Sequence, residues 1–229
     1  MPRVLSTLLR AARVMRSVVL LALCVLVAPA LGAQRASEGT PSRHVVVGGI
    51  DLTGVGYDVG STTAPVVLVN FSDFGCSYCA SFSRETYPAL AREFVATGKV
   101  FFKYVPFARG TFPNGKQAAR ASECAAEQGQ FWAMHERLYA RQRDWRNTLY
   151  ALPVFSEEAH RLGLNEAAFT RCYETRVTDR RTEAASIIAK RLRIRATPTF
   201  YVDGRAIEGA LPLAQFQAIL RAIVQDRGR

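Results

Sequence analysis

The sequence predicts an α/β domain interrupted by an all-helical insertion, on three observations. The apolar run Val66-Val67-Leu68-Val69-Asn70-Phe71 has the length and continuity of a strand buried on both faces, and a helix-like pattern follows it to Phe94. From Gly115 to about Leu192 strand signals almost vanish and apolar residues recur at helical spacing. Strand character then returns at Thr199-Phe200-Tyr201-Val202, directly after a proline.

Taken in order, residues 33–42 are small and polar and suit a flexible lead-in, residues 45–50 suit a first strand, and the Gly/Thr-rich stretch 54–64 suits a loop. After the run at 66–71, Ser72-Asp73-Phe74-Gly75 turns the chain into a helix carrying Phe82, Leu90 and Phe94, which stops near Gly98. Residues 100–105 form another strand, closed by Pro106. Within the insertion, Ala118, Ala121 and Ala125 make a small-residue face, and Phe131, Met134 and Leu138 follow at i, i+3 and i+7. Asn165 suits the N-cap of a helix holding Phe169 and Cys172, and Ala184, Ile187, Ile188 and Leu192 form a further stripe. Asp203-Gly204 is a hairpin turn into Ala206-Ile207-Glu208. An amphipathic helix with Leu213, Phe216, Leu220, Ile223 and Val224 closes the chain. The order β-α-β, helical block, β-β-α is that of a thioredoxin-like fold. Its core comprises residues 57–109 and 194–229, with the insertion at 110–193 and a lead-in with a possible strand at 34–56.

Residues 1–33 have the layout of a targeting segment. Arg3, Arg10, Arg13 and Arg16 precede the apolar stretch 18–31, which is short for a membrane span, and small residues follow at Ala28, Ala30 and Gly32. The expectation is a signal peptide or an uncleaved N-terminal anchor, and export of the domain in either case. The formal charge of +11 includes those four arginines and falls to about +7 without them. The remaining charge is scattered, with no basic run or aromatic-interleaved strip, so nucleic acid is not an expected partner.

Five cysteines are present. Cys24 lies within the apolar stretch and reads as a passive hydrophobe. The other four are an even set in an exported chain, which implies disulfides. Cys76 and Cys79 are the local pair, which leaves Cys124 with Cys172 as a structural bridge across the insertion. A Cys-x-x-Cys pair alone could equally be half a zinc site. Delivered by a strand to a helix N-terminus, it has the geometry for thiol–disulfide chemistry, because free backbone N–H groups and the helix dipole stabilise a thiolate there. Cys76 is expected to be the exposed nucleophile and Cys79, one turn deeper, to resolve the mixed disulfide. Ser77 and Tyr78 between them are candidates for tuning the redox poise.

Three segments, VNFSDFGCSYCASF (residues 69–82), AARASECAAEQGQFWAMH (118–135) and IRATPTFYVDG (194–204), resemble the DsbA family of extracytoplasmic thiol:disulfide oxidoreductases, in the subgroup with an extra cysteine in the helical insertion. The resemblance spans residues 57–224 or so. It implies a cis peptide at Pro198, facing the cysteine pair, with the Thr197 backbone free to pair with an extended client strand and the Thr197 hydroxyl touching the Cys76 sulfur. It also implies reduced secreted proteins as clients, a membrane quinone-linked enzyme as reoxidising partner, a periplasmic or other extracytoplasmic location, a monomer and no cofactor. Two positions depart from the family pattern. Serine stands at position 77, where proline is frequent. Asn70 stands where a buried Asp or Glu commonly relays the proton of the deeper cysteine, and an amide cannot do so by ionising. Asp73 is nearer the pair and reads as a turn or capping residue.

The remaining candidates carry less. His44, His135 and His160 lack metal-ligand spacing and read as surface or core histidines. Phe131 and Trp132 read as core of the insertion. No phosphate-binding glycine loop or nucleophile elbow occurs. The functional expectation is an exported dithiol oxidase. The alternatives are a disulfide reductase or isomerase, a thioredoxin-like copper chaperone using the same two thiols, and a thiol-independent holdase.

Overall fold

A computed structural model describes residues 43–229; the expected targeting segment, Cys24 and the flexible stretch at 33–42 lie outside the described residues. Five strands form one sheet in the order β3-β5-β4-β6-β7, with β3 Tyr57–Val59, β4 Val66–Ser72, β5 Val100–Pro106, β6 Thr199–Val202 and β7 Arg205–Glu208. The central pair β4 and β5 is parallel, Val66 opposite Val100 through Ser72 opposite Pro106, and the other pairings are antiparallel. A parallel pair requires a crossover. Here it is the helix after Cys76: α1 Ser77–Ser81, a π-type turn Phe82–Thr86, α2 Tyr87–Leu90 and a second π-type turn Ala91–Val95.

Between β5 and β6 the chain is helical throughout: α3 Gly115–Ala126, α4 Phe131–Ala140, α5 Gln142–Trp145, α6 Leu152–Arg161, α7 Glu166–Thr175 and α8 Asp179–Arg191. Ala118, Ala121 and Ala125 are buried on α3, as are Phe131, Met134 and Leu138 on α4. Asn165 caps α7, its Oδ1 accepting from Ala168 N at 2.9 Å. The last helix, α9 Leu213–Arg227, buries Phe216 and Leu220, each worth about 1.5–3 kcal/mol of transfer free energy.

Alternation along the central strands separates two cores. Val66 and Leu68 of β4 and Phe102 and Tyr104 of β5 join α1, α9 and most of the insertion. Val69, Phe71, Phe101 and Val105 face the other way, against Ala185 and Ala189 of α8 and Val45, Val47 and Leu52 near the start of the described chain. Every second residue of a strand points to the same face, so one apolar run serves both cores.

Three expectations need correction. The single strand at 45–50 is a hairpin, β1 Val46–Val47 against β2 Ile50–Asp51, turned at Gly48 and Gly49 with φ of +54° and +76°. Two consecutive positive φ values are the geometry of a tight hairpin turn, and glycine adopts them without strain. The predicted loop at 54–64 contains the edge strand β3. Its Asp58 pairs with the wholly buried Lys103 of β5 at 2.6 Å, directly opposite in register, and Lys103 also donates to Val55 O at 3.0 Å. Glycines flanking three residues hide so short a strand, but a lysine in a buried strand needs such a partner. The buried face of α8 is Thr182, Ala185 and Ala189, with Ile188 and Leu192 packed against it; Ala184 and Ile187 face solvent. The apolar residues of 184–192 fit two overlapping helical faces, and only packing on the sheet selects one.

Candidate active site

Cys76 is the N-cap of α1, in extended conformation (φ −80°, ψ 125°), and the helix starts at Ser77 because Cys76 O accepts from Ala80 N at 3.2 Å. The turn that delivers it is held by Asp73. Its backbone O accepts from Cys76 N at 3.0 Å, its Oδ1 from Gly75 N at 2.9 Å and its Oδ2 from Arg109 N at 2.8 Å. The Asp73 side chain is therefore the turn residue the sequence suggested, and burial pushes its carboxyl above the usual range. A Cβ at Gly115 would lie 2.4 Å from Asp73 Oδ1, so the first residue of α3 is fixed as glycine by this carboxylate.

Both motif cysteines are free thiols. The Cys76 thiol is lowered to about 6, first by a hydrogen bond from the Cys79 thiol, then by the Thr197 side chain and the backbone N–H groups of Cys79 and Tyr78, against an opposing effect of burial. Those two N–H groups are among the unpaired donors of the helix N-terminus. Cys79 is pushed the opposite way, chiefly by burial and then by Cys76, while the Ser72 hydroxyl and the Asp73 N–H partly offset this. One thiol is poised to ionise and the other to keep its proton.

Cys76 is not exposed as expected: only 2% of its surface is accessible, although Ser77 and Tyr78 beside it are exposed. The cover comes from the loop before β6. Thr197 and Pro198 are buried, their peptide bond is cis, and Cys76 Sγ donates to the Thr197 carbonyl at 3.2 Å. In the thiol state the carbonyl, rather than the hydroxyl, receives the Cys76 proton. The Thr197 hydroxyl is buried without a hydrogen-bond partner and is available to the thiolate.

Asn70 lies wholly within β4 and accepts from the Ser72 hydroxyl at 2.9 Å. Cys124 of α3 and Cys172 of α7 are joined by a disulfide with a Cα–Cα distance of 5.7 Å. His44 and His160 are surface residues beside Asp51 and Glu166, whereas His135 is buried among the rings of Phe74, Tyr104, Phe131, Trp132 and Tyr139. Phe131 is core and Trp132 packs half-buried against it.

One contributor carried no signal in the sequence. Gln142 of α5 is buried and its Nε2 donates to Phe74 O at 2.6 Å and Cys76 O at 2.9 Å, tying the insertion to the cysteine turn. A lone glutamine in an arginine-rich stretch reads as surface. Gln142→Ala leaves the buried Phe74 carbonyl without this donor, and denaturant unfolding should show a loss of about 1–3 kcal/mol. An unchanged midpoint would mean that the donor is dispensable.

The model of the family described as Thioredoxin matches residues 53–222. The chain belongs to the thioredoxin family. Among curated proteins it is 29% identical over 192 residues to a Na(+)/H(+) antiporter NhaA of Herminiimonas arsenicoxydans, a match covering 84% of this chain and 29% of the antiporter. The chain thus spans between a quarter and a third of the length of that relative. It is 25% identical to Disulfide bond formation protein D of Bacillus subtilis, over 66% of this chain and 68% of that protein. Among solved structures, α-DsbA1 of Wolbachia pipientis superposes with a TM-score of 0.66 at 20% identity, covering 74% of this chain and 91% of that one. The fold is therefore shared with DsbA-type proteins, helical insertion included.

Proposed function

We propose that this member of the thioredoxin family is an exported thiol:disulfide oxidoreductase, acting as a dithiol oxidase that introduces disulfides into reduced secreted proteins at Cys76-Ser77-Tyr78-Cys79. The observation that carries the reading is the divergence of the two thiols: Cys76 at the helix N-terminus lowered to about 6, and Cys79 behind it raised. In the oxidised enzyme a client thiolate attacks Cys76 Sγ. A client–Cys76 disulfide forms, the Cys76–Cys79 bond breaks, and its electron pair goes to Cys79, which takes a proton. A second client thiolate attacks the client sulfur and expels Cys76 as a thiolate, leaving the client oxidised and the enzyme reduced. A good leaving thiolate favours this direction, because it stabilises the reduced enzyme.

Ser77, Tyr78, Thr197 and Pro198 are the proposed client contacts. Tyr78 is 67% exposed next to the nucleophile and offers an aromatic surface to an unfolded chain. A membrane quinone-linked enzyme is the proposed reoxidant, and residues 1–33 the proposed export signal or anchor. Among the described residues no helix is long and apolar enough to cross a membrane. The name of the Bacillus subtilis relative supports the disulfide-forming direction. Ion transport belongs to the antiporters and is not proposed here.

The test is oxidative folding of a reduced, unfolded disulfide protein by the oxidised enzyme, with glutathione as reoxidant. Recovery of the native client disulfides at a rate that scales with enzyme supports the reading, and a rate equal to glutathione alone refutes it. The low Cys76 value also predicts a pH profile. Iodoacetamide labelling should rise with a midpoint near pH 6 and level off above about pH 7, where about ten thiolates exist per thiol. The shift is a depressed one, so its contribution to the stability of the reduced fold is complete above the reference value of 9.0 and is lost as pH falls through about 6. Labelling that keeps rising to pH 9 would contradict the assignment.

A further inference from the structure

The cysteine chemistry above moves a proton at Cys79, yet the β4 position behind it is Asn70, which cannot ionise. Below Cys79 lies a cavity of about 10 Å³, room for about one water molecule, lined by Asn70, Ser72, Cys79, Tyr104, His135 and Tyr139 among others. Both ring nitrogens of His135 are buried without a hydrogen-bond partner. A buried donor or acceptor left unpaired is destabilising, so an imidazole wrapped in five aromatic rings calls for a partner. The cavity it lines is the place for one.

We propose that His135 holds a water molecule in this cavity against Cys79, and that this water carries the proton exchanged by Cys79 during thiol–disulfide exchange. The inference rests on the redox reading of Cys76 and Cys79. When a client thiolate attacks Cys76, the electron pair of the broken S–S bond settles on Cys79 Sγ. The held water gives Cys79 a proton, and bulk water restores it along the cavity side lined by Ser83 and Tyr87, both half-buried. The reverse transfer accompanies reoxidation. His135 acts through the water and is a positioning residue. Burial lowers its ring to about 3, so it stays neutral, with one donor and one acceptor nitrogen to orient the water. The ionisable groups sharing the cavity are Cys79, Tyr87, Tyr104 and Tyr139, and Asp73 acts on both Tyr104 and Tyr139 from the cysteine turn. Burial raises all three tyrosines above their ordinary value, so they remain protonated alongside the neutral imidazole.

The experiment reduces the oxidised full-length protein with reduced glutathione under single-turnover conditions and follows Cys79 thiol appearance by quenching and alkylation, with iodoacetamide labelling of Cys76 against pH in parallel. His135→Leu should slow Cys79 thiol formation about ten-fold or more and leave the Cys76 midpoint in place. His135→Gln, which keeps a polar group in the cavity, should stay close to the parent. Asn70→Asp added to His135→Leu should restore the rate, because a carboxyl can hold and exchange the proton itself. Parental speed in His135→Leu overturns the proposal, as does a slowing that moves the Cys76 midpoint equally and resists rescue. If His135→Leu does not fold, the parent decides at matched thiolate concentration: reduction slower in D₂O supports a water-borne proton, and an unchanged rate overturns it. A parent that glutathione does not reduce at all would instead refute the redox reading.

Discussion

Replacing Cys76 with serine is expected to reduce client oxidation to background, a loss of about three orders of magnitude or more, because a serine hydroxyl is neither ionised at neutral pH nor able to form the mixed disulfide. Cys79→Ser should behave differently. Cys76 keeps its place at the N-terminus of α1 and its contact with Thr197, so it still reacts with a client disulfide, but nothing resolves the product. Mixed disulfides on Cys76 should therefore accumulate and be visible on non-reducing gels, and reductant should release them. The largest influence on Cys76 is the Cys79 hydrogen bond, so its labelling midpoint should also rise in Cys79→Ser. Equal client turnover by Cys76→Ser and the parent would remove the dithiol from the mechanism and favour a thiol-independent holdase.

The second large effect concerns stability. The Cys124–Cys172 bridge closes a loop across a sequence separation of 48, and Cys124 is fully buried on α3. Restricting the unfolded chain over such a loop is worth roughly 4 kcal/mol in the chain-entropy account. The double replacement Cys124→Ser, Cys172→Ser should lower unfolding free energy by about 2–5 kcal/mol. Tm should fall by about 5–15 °C. Labelling of Cys76 should be unaffected, since α3 meets the cysteine turn at Gly115 and Asp73, at the opposite end of the helix from Cys124. An unchanged Tm would show that the bridge does not constrain the fold.

Much of this site was legible in the sequence because its parts are local. A strand, a four-residue turn and Cys-x-x-Cys at a helix start occupy one stretch, and chain order alone fixes their relation. The Asp203-Gly204 hairpin and the alanine face of α3 were legible for the same reason. What escaped depends on tertiary approach. The burial of Cys76 comes from the Thr197–Pro198 loop, more than a hundred residues away in sequence, closing over the thiol. Gln142 and His135 reach the cysteine turn only because the insertion folds back on it; in the sequence they are one polar residue among arginines and one histidine on an apolar helix. The edge strand β3 is specified by the charge of Lys103 as much as by its own three residues.

Cys76 and Cys79 are proposed as an oxidising redox couple whose reduced form is favoured by a stabilised Cys76 thiolate. Equilibrating the protein with glutathione buffers and counting free thiols at each ratio tests it most directly. The expected result is a single two-electron transition at Cys76 and Cys79 with a potential above about −200 mV, on the oxidising side of the glutaredoxins. A potential at or below about −270 mV would make the protein a reductase, and two thiols that never exchange with glutathione would contradict the account altogether.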